Sequence, residues 1–137
     1  MACPRKLVTH RDFRHLVELL KDELLGAMVD PKAFRELAGE LQHATIVDAV
    51  SVPPDVVTMN STVKLRDLES DSTETYTLVY PEDANIAEGR LSILAPIGIA
   101  IFGDRVGNRV RWAVPAGKRN MRIDDVIYQP ERDAVSA

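Results

Sequence analysis

The chain has 137 residues, of which 45% are hydrophobic and 28% are charged, and its formal net charge is −4. This length and composition suit one compact domain, or one domain with a small appendage, and exclude disorder, collagen and a disulfide-rich scaffold. No apolar run approaches the roughly 20 residues that span a bilayer, and no apolar signal-peptide stretch begins the chain. Cys3, as a single cysteine, cannot form an intrachain disulfide, so we expect a cytoplasmic protein with no membrane partner.

The N-terminal part of the sequence predicts a short antiparallel helical hairpin. Thr9 is a suitable N-cap, and apolar residues at helical spacing predict a first helix over about 12–25, closed by Gly26. Asp30 before Pro31 then predicts the start of a second helix. Because the loop between them is short, the two helices are expected to be antiparallel neighbours, with Asp30 at the hairpin tip.

The hydrophobic period changes after the proline pair at Pro53 and Pro54, which blocks both helix and central strand. We therefore predict a helical unit over 1–50, a linker at 51–55, a second domain over 56–131 and a tail at 132–137, with polar sequence from Gln129 onwards. Segments that are rich in β-branched residues or alternate in polarity predict six strands, at 56–59, 62–66, 75–80, 91–94, 109–114 and 121–128. One short helix is predicted at 96–102, and a turn at Ala116-Gly117. The expected fold class is α+β, with a mostly antiparallel sheet.

The sequence offers few candidates for catalysis. The histidines His10, His15 and His43 show no metal-binding spacing. Serines lack the G-x-S-x-G context of an exposed nucleophile, and the glycines lack the lysine of a phosphate-binding loop. We expect no enzyme activity, no catalytic or metal-binding residue, no cofactor and no small-molecule substrate.

Carboxylates near the predicted tip have two interpretations. Asp30, with Asp22 and Glu23 one to two helical turns earlier in the chain, has the oxygen ligands that Mg²⁺ prefers. The alternative is structural, since Asp30 suits an N-cap and the other two suit a solvated helix face.

A basic stretch near the C-terminus is the second charge feature. Between Asp104 and Ile123 six cations stand against one acid: Arg105, Arg109, Arg111, Lys118, Arg119 and Arg122. Arg109 and Arg111 should share one face of a strand, and such a cluster attracts an acidic protein surface or a phosphate backbone. A merely solvated strand face is the competing interpretation. Because the acids of the second domain lie mainly before Arg90 and the bases after it, a chain that is acidic in total can still present a basic face.

Four segments follow one another in an order that resembles the GreA/GreB transcription elongation factor family. They are Val56–Val63, Leu78–Pro81, Leu91–Gly103 with Val106-Gly107, and Tyr128–Glu131. The resemblance implies an FKBP-like antiparallel sheet with one short helix, preceded by a truncated antiparallel coiled coil. It is strongest to short members linked to regulation of nucleoside diphosphate kinase.

The resemblance also implies RNA polymerase as the partner. Short members are expected to dock near the secondary channel and compete with Gre factors without stimulating transcript cleavage, because the arm is too short to deliver tip carboxylates to the active-site Mg²⁺. The predicted partner-binding residues are Ser92, Pro96, Gly98, Arg105, Arg109, Arg111, Lys118, Arg119 and Arg122. A weak nucleic-acid contact is also expected. The alternatives are Gre-like cleavage through Asp30, an independent nucleic-acid-binding module, and a prolyl isomerase.

Overall fold

A computed structural model of the protein describes residues 6–114 and 117–133. The predictions for Cys3, for Ala116 and for 134–137 of the tail lie outside these residues. Helices and a sheet both occur, which confirms the predicted α+β class. No helix within 6–114 or 117–133 combines the length and apolarity needed to cross a bilayer.

The N-terminal segment contains three helices between two short strands. These elements are β1 (Leu7–Thr9), α1 (His10–Leu20), α2 (Glu23–Met28), α3 (Pro31–His43) and β2 (Thr45–Val47). Strands β1 and β2 pair in parallel, so the residues before α1 and after α3 lie side by side at one end of the segment. Strands of three residues leave no periodic pattern, and neither was predicted from the sequence.

The prediction of one helix over about 12–25 was wrong, because the chain breaks between α1 and α2. Lys21 closes α1, and the Asp22 side chain accepts a hydrogen bond of 3.0 Å from the backbone N–H of Leu25, which starts α2. Gly26 lies inside α2 and closes nothing. The predicted start of the next helix is confirmed, since Asp30 caps α3 and Pro31 is its first residue.

The second part of the chain forms a five-stranded sheet in the order β5-β4-β3-β7-β6. Its elements are β3 (Thr62–Asp67), β4 (Thr73–Val79), β5 (Arg90–Ser92), α4 (Pro96–Ile101), β6 (Arg109–Val114) and β7 (Gly117–Tyr128). The pair β4–β5 is parallel and the other pairs are antiparallel, which agrees with the predicted mostly antiparallel sheet. The antiparallel sheet implied by the family resemblance is corrected at the β5 edge. The predicted strand 56–59 is reduced to a single bridge between Val56 and Arg105.

One hydrophobic core joins the helical segment to the sheet. Leu16 of α1 and Leu37 of α3 are buried in the same cluster as Leu65, Met121 and other residues of the inner sheet face. The linker at 51–55 therefore separates two stretches of sequence that share a core. The domain bounds, the FKBP-like topology and the coiled-coil arrangement of α1 and α3 stay predictions.

Two polar contacts reinforce this junction. Lys6 Nζ donates hydrogen bonds of 2.9 Å to the carbonyl oxygens of Ile99 and Ala100, which the last turn of α4 leaves unpaired. Burial lowers the pKa of Lys6, although Glu40 at 3.4 Å opposes this effect. Asp12 of α1 accepts a hydrogen bond of 3.1 Å from the backbone N–H of Met59.

The polar sequence that begins at Gln129 takes part in the fold. Gln129 is fully buried, and its Nε2 donates to the carbonyl oxygens of Pro53 and Val56. A fifth helix, α5 (Pro130–Asp133), follows directly. Gln129 thus ties the end of β7 to the segment that precedes the sheet through its amide nitrogen, while its buried Oε1 has no hydrogen-bond partner among the described residues.

Candidate partner-binding surfaces

The corner between β5 and α4 is built around Ser92 and Gly98. Ser92 Oγ accepts a hydrogen bond of 3.0 Å from the backbone N–H of Leu94, which shapes the turn out of β5. Gly98 is buried, and a Cβ built on it would lie 2.3 Å from the carbonyl oxygen of Ser92. Both residues therefore have a structural task in holding α4 on the strand. Pro96, at the first position of α4, is exposed beside them.

A groove of about 800 Å³ lies between α3, α4 and the edge strand β6. Pro96, Arg109 and Arg111 line one side, and α3 lines the other with both cations and acids. The groove-lining residues on α3 include Lys32, Arg35, Glu36 and Glu40. Three of the predicted partner-binding residues thus meet at one concave surface.

The strand register places four of the predicted cations on one side of the sheet. Arg109 pairs with Arg122, and Arg111 pairs with Asn120, so these side chains share a face. Lys118, two residues before Asn120, projects to the same face. Val110, between the two β6 arginines, is buried on the opposite face, in agreement with the predicted alternation.

Arg105 and Arg119 lie elsewhere. Arg105 forms two hydrogen bonds to the Asp55 carboxylate, at 3.0 and 3.2 Å, and joins the predicted linker to the turn before β6. Arg119 lies on the core side of β7, where it contacts Asp67 at 2.9 Å and Glu74 at 3.3 Å. Its guanidinium holds the pKa of Asp67 below its usual range. The six cations of the basic stretch therefore do not form one surface.

Sequence reasoning missed two cations of β3. Arg66 pairs directly with Arg122, so Arg66, Arg122 and Arg109 form one row across β3, β7 and β6. Lys64 lies two residues earlier on the same face of β3. Alternation within 62–66 marks both as outward-facing, but only the pairing of β3 with β7 places them beside the basic stretch.

Two of the three carboxylates near the predicted tip act as helix caps, and the third, Glu23, is exposed in the first turn of α2. Asp30 Oδ1 accepts a hydrogen bond of 2.9 Å from the backbone N–H of Lys32, and Asp22 caps α2 in the same manner. Asp30 also lines the groove described above. Across 6–114 and 117–133, no three His, Cys, Asp or Glu side chains are grouped so that they could hold a metal ion.

Comparison with known sequences identifies the relatives of the chain. The family model for the C-terminal domain of the GreA/GreB transcription elongation factors matches residues 52–128. The regulator of nucleoside diphosphate kinase from Escherichia coli K12 is 40% identical over 132 residues, which are 96% of this chain and 95% of that protein. GreA from Trichlorobacter lovleyi is 35% identical over 69% of this chain and 60% of its own length.

A solved structure extends the likeness to the fold. The GreA/GreB elongation factor from Nitrosomonas europaea superposes with a TM-score of 0.76 at 35% identity and covers 92% of this chain and all of its own. The helical segment and the sheet are both included in this coverage. The chain therefore belongs to the GreA/GreB transcription elongation factor family, and within it to the regulators of nucleoside diphosphate kinase.

Proposed function

We propose that the protein is a transcription regulator that binds RNA polymerase near its secondary channel and competes with Gre factors there without stimulating transcript cleavage. The observation that carries this proposal is the full-length match to a regulator, together with a family domain whose groove is open beside a short helical segment. The protein acts in the cytoplasm, and its link to nucleoside diphosphate kinase follows from that of its relative.

The helical segment supports docking without cleavage. Helix α1 has 11 residues and α3 has 13, so at about 1.5 Å per residue they extend roughly 16 and 20 Å. Asp22 and Asp30 each direct a carboxylate oxygen to a backbone N–H of their own helix. A regulator with these dimensions occupies the entry to the channel, but its helices are too short to carry their acids to a distant metal ion.

The groove between α3, α4 and β6 is the proposed docking surface. Exposed Pro96 supplies an apolar contact, and Arg109 and Arg111 supply charge at its rim. An acidic or amphipathic helical surface of the polymerase complements this combination, since charged rims set orientation while apolar contacts supply affinity. Ser92 and Gly98 contribute by fixing α4 against the end of β5.

Reversing the charge at the groove rim is expected to weaken polymerase capture. The variant Arg109→Glu/Arg111→Glu places two negative charges where the proposal needs positive ones, so retention of RNA polymerase on the immobilised protein should fall at least about tenfold. Pull-down from purified polymerase at 150 mM salt measures this. Neither arginine has an ion-pair partner among residues 6–114 and 117–133, and the fold should persist.

The matched control is Arg11→Glu/Arg14→Glu, which makes the same change in net charge on exposed residues of α1. It should retain polymerase nearly as well as the wild type. Equal retention by the rim variant and the wild type would remove Arg109 and Arg111 from the docking surface.

In a backtracked elongation complex, the protein is expected to leave the transcript intact and to slow the cleavage that added GreA stimulates. The reason is competition for one site, so the inhibition should be overcome by excess GreA. Gel analysis of labelled transcript with a fixed GreA concentration and increasing amounts of the protein measures both effects. Mg²⁺-dependent shortening by the protein alone would instead favour the Gre-like cleavage function.

A further inference from the structure

One side of the sheet forms an outer basic face, defined by Lys64, Arg66, Arg109, Arg111, Lys118 and Arg122. The register across β3, β7 and β6 places all six on the side opposite the core. The core side is marked by buried Val63, Leu65, Met121 and Ile123 in the alternate positions. Neighbouring strands lie about 4.8 Å apart and alternate residues about 6.7 Å apart, so the cations form a two-dimensional array.

Internal pairing leaves most of this charge available. Asp124 lies between Arg66 at 2.7 Å and Arg122 at 2.9 Å, so one carboxylate is shared by two guanidinium groups. Asp71 also contacts Arg66, and Asp125 lies opposite Lys64 in the register. Six cations thus stand against three carboxylates. Four of the cations have no ion-pair partner within the described residues: Lys64, Arg109, Arg111 and Lys118.

The chemistry of the outer basic face suits phosphate better than an acidic protein surface. Four of its six cations are arginines, whose planar guanidinium donates two parallel hydrogen bonds to phosphate oxygens. Its neutral neighbours are hydrogen-bonding groups: Thr73 lies opposite Arg66, Thr75 opposite Lys64, and Asn120 opposite Arg111. A protein interface needs an apolar centre, whereas a phosphate backbone needs only cations and donors.

We propose that the outer basic face binds the phosphodiester backbone of a nucleic-acid strand, without reading its sequence. Arg66, Arg122 and Arg109 form the central row, and Lys64 and Lys118 extend it on either side. This contact goes beyond polymerase docking, because it requires no polymerase and does not use the apolar part of the groove. It lets a regulator bound at the polymerase also contact the nucleic acid.

The test is fluorescence anisotropy of a labelled 20-nucleotide single strand, of DNA and of RNA, titrated with the full chain in the absence of polymerase. If the face contacts about four phosphates, the logarithm of the affinity should fall with the logarithm of salt concentration at a slope of about −3. Between 50 and 200 mM salt this corresponds to a loss of about 50-fold. DNA and RNA should bind alike, since the backbone is the ligand.

The variant Lys64→Gln/Lys118→Gln/Arg122→Gln removes three charges of the outer basic face and leaves Arg109 and Arg111 in the groove rim. Its salt slope should approach about −1, while its polymerase pull-down should stay near that of the wild type. The charge-matched control Arg11→Gln/Arg14→Gln/Lys21→Gln, on the exposed side of α1 and its C-cap, should bind like the wild type.

Three outcomes would overturn the proposal. The first is no binding of either strand at 50 mM salt, and the second is an equal loss of nucleic-acid affinity in the variant and its control. The third is that polyglutamate displaces the labelled strand as effectively as the unlabelled strand does. The last result would assign the face to acidic protein surfaces. Because polymerase is absent, none of these outcomes bears on the docking proposed above, and failure of the pull-down would leave this test intact.

Discussion

Replacing Gly98 with alanine is expected to destabilise the protein by about 3 kcal/mol or more. The added Cβ would lie 2.3 Å from the carbonyl oxygen of Ser92 and 3.2 Å from Leu78 Cδ1. The Ser92 oxygen belongs to the backbone at the end of β5 and also accepts a hydrogen bond from the Ala95 N–H. It cannot move aside as a flexible side chain would, so α4 must shift away from the strand.

Thermal and urea unfolding of Gly98→Ala measure this effect, and a loss of 3 kcal/mol corresponds to a melting temperature lower by about 10 °C. The matched control is Gly39→Ala on α3, where the new Cβ meets nothing within 4 Å. That variant should gain about 0.5–1 kcal/mol from helix propensity. Unchanged stability in Gly98→Ala would show that α4 does not pack on β5 at this distance.

Local signals in the sequence predicted the elements that depend on local chemistry. Asp30 and Pro31 start α3 because a carboxylate cap and a proline at the first position act within one turn. Pro96 marks the start of α4 for the same reason. The end of α1 at Leu20, earlier than predicted, also has a local cause. Asp22 competes with helix continuation by accepting the Leu25 N–H, a choice that apolar periodicity does not register.

The pairing of strands that are distant in sequence determines which cations share a face, and the sequence alone does not show this pairing. Alternation placed Arg109 and Arg111 on one face, but Arg66 joins them only because β3 pairs with β7. Arg119 is close to Lys118 in sequence yet lies on the core side, beside Asp67. The sequence analysis therefore located the concentration of positive charge correctly, but it did not identify all the residues that share one surface.

Buried polar groups were the least predictable part of the fold. Gln129 and Asp12 are polar residues whose backbone partners are distant in sequence. Gln129 bonds to Pro53 and Val56, and Asp12 bonds to Met59. A polar residue is buried when such partners exist, and a pattern of hydrophobicity contains no information about them.

The second large effect is expected from Asp12, whose burial makes stability depend on pH. Desolvation raises the pKa of Asp12 from its ordinary value of 3.8 to about 6, and the charge of Glu131 adds to the rise. The hydrogen bond from the Met59 N–H and the charge of Arg11 oppose it. Tyr80 lies nearby, and burial and the charge of Asp12 raise its pKa. Tyr80 therefore stays neutral over the pH range in which Asp12 titrates.

The sign of the effect follows from proton binding. Between about pH 4 and pH 6 the folded state holds a proton on Asp12 that the unfolded state has lost, so the contribution of this group to the free energy of unfolding falls as pH rises. Above pH 6 the ionised carboxylate is buried, and the folded state carries a cost of about 3 kcal/mol for about two units of pKa difference.

Asp12→Asn should therefore become more stable relative to the wild type as pH rises, with little difference near pH 4 and a gain of about 2–3 kcal/mol at pH 7.5. The amide keeps an oxygen for the Met59 N–H and cannot ionise. Urea unfolding of both proteins at one-unit pH intervals measures the difference, in which the other titrating groups cancel. Asp12→Ala, which loses the acceptor, should be destabilised near pH 4, whereas a pH-independent difference for Asp12→Asn would show that Asp12 ionises normally in the fold.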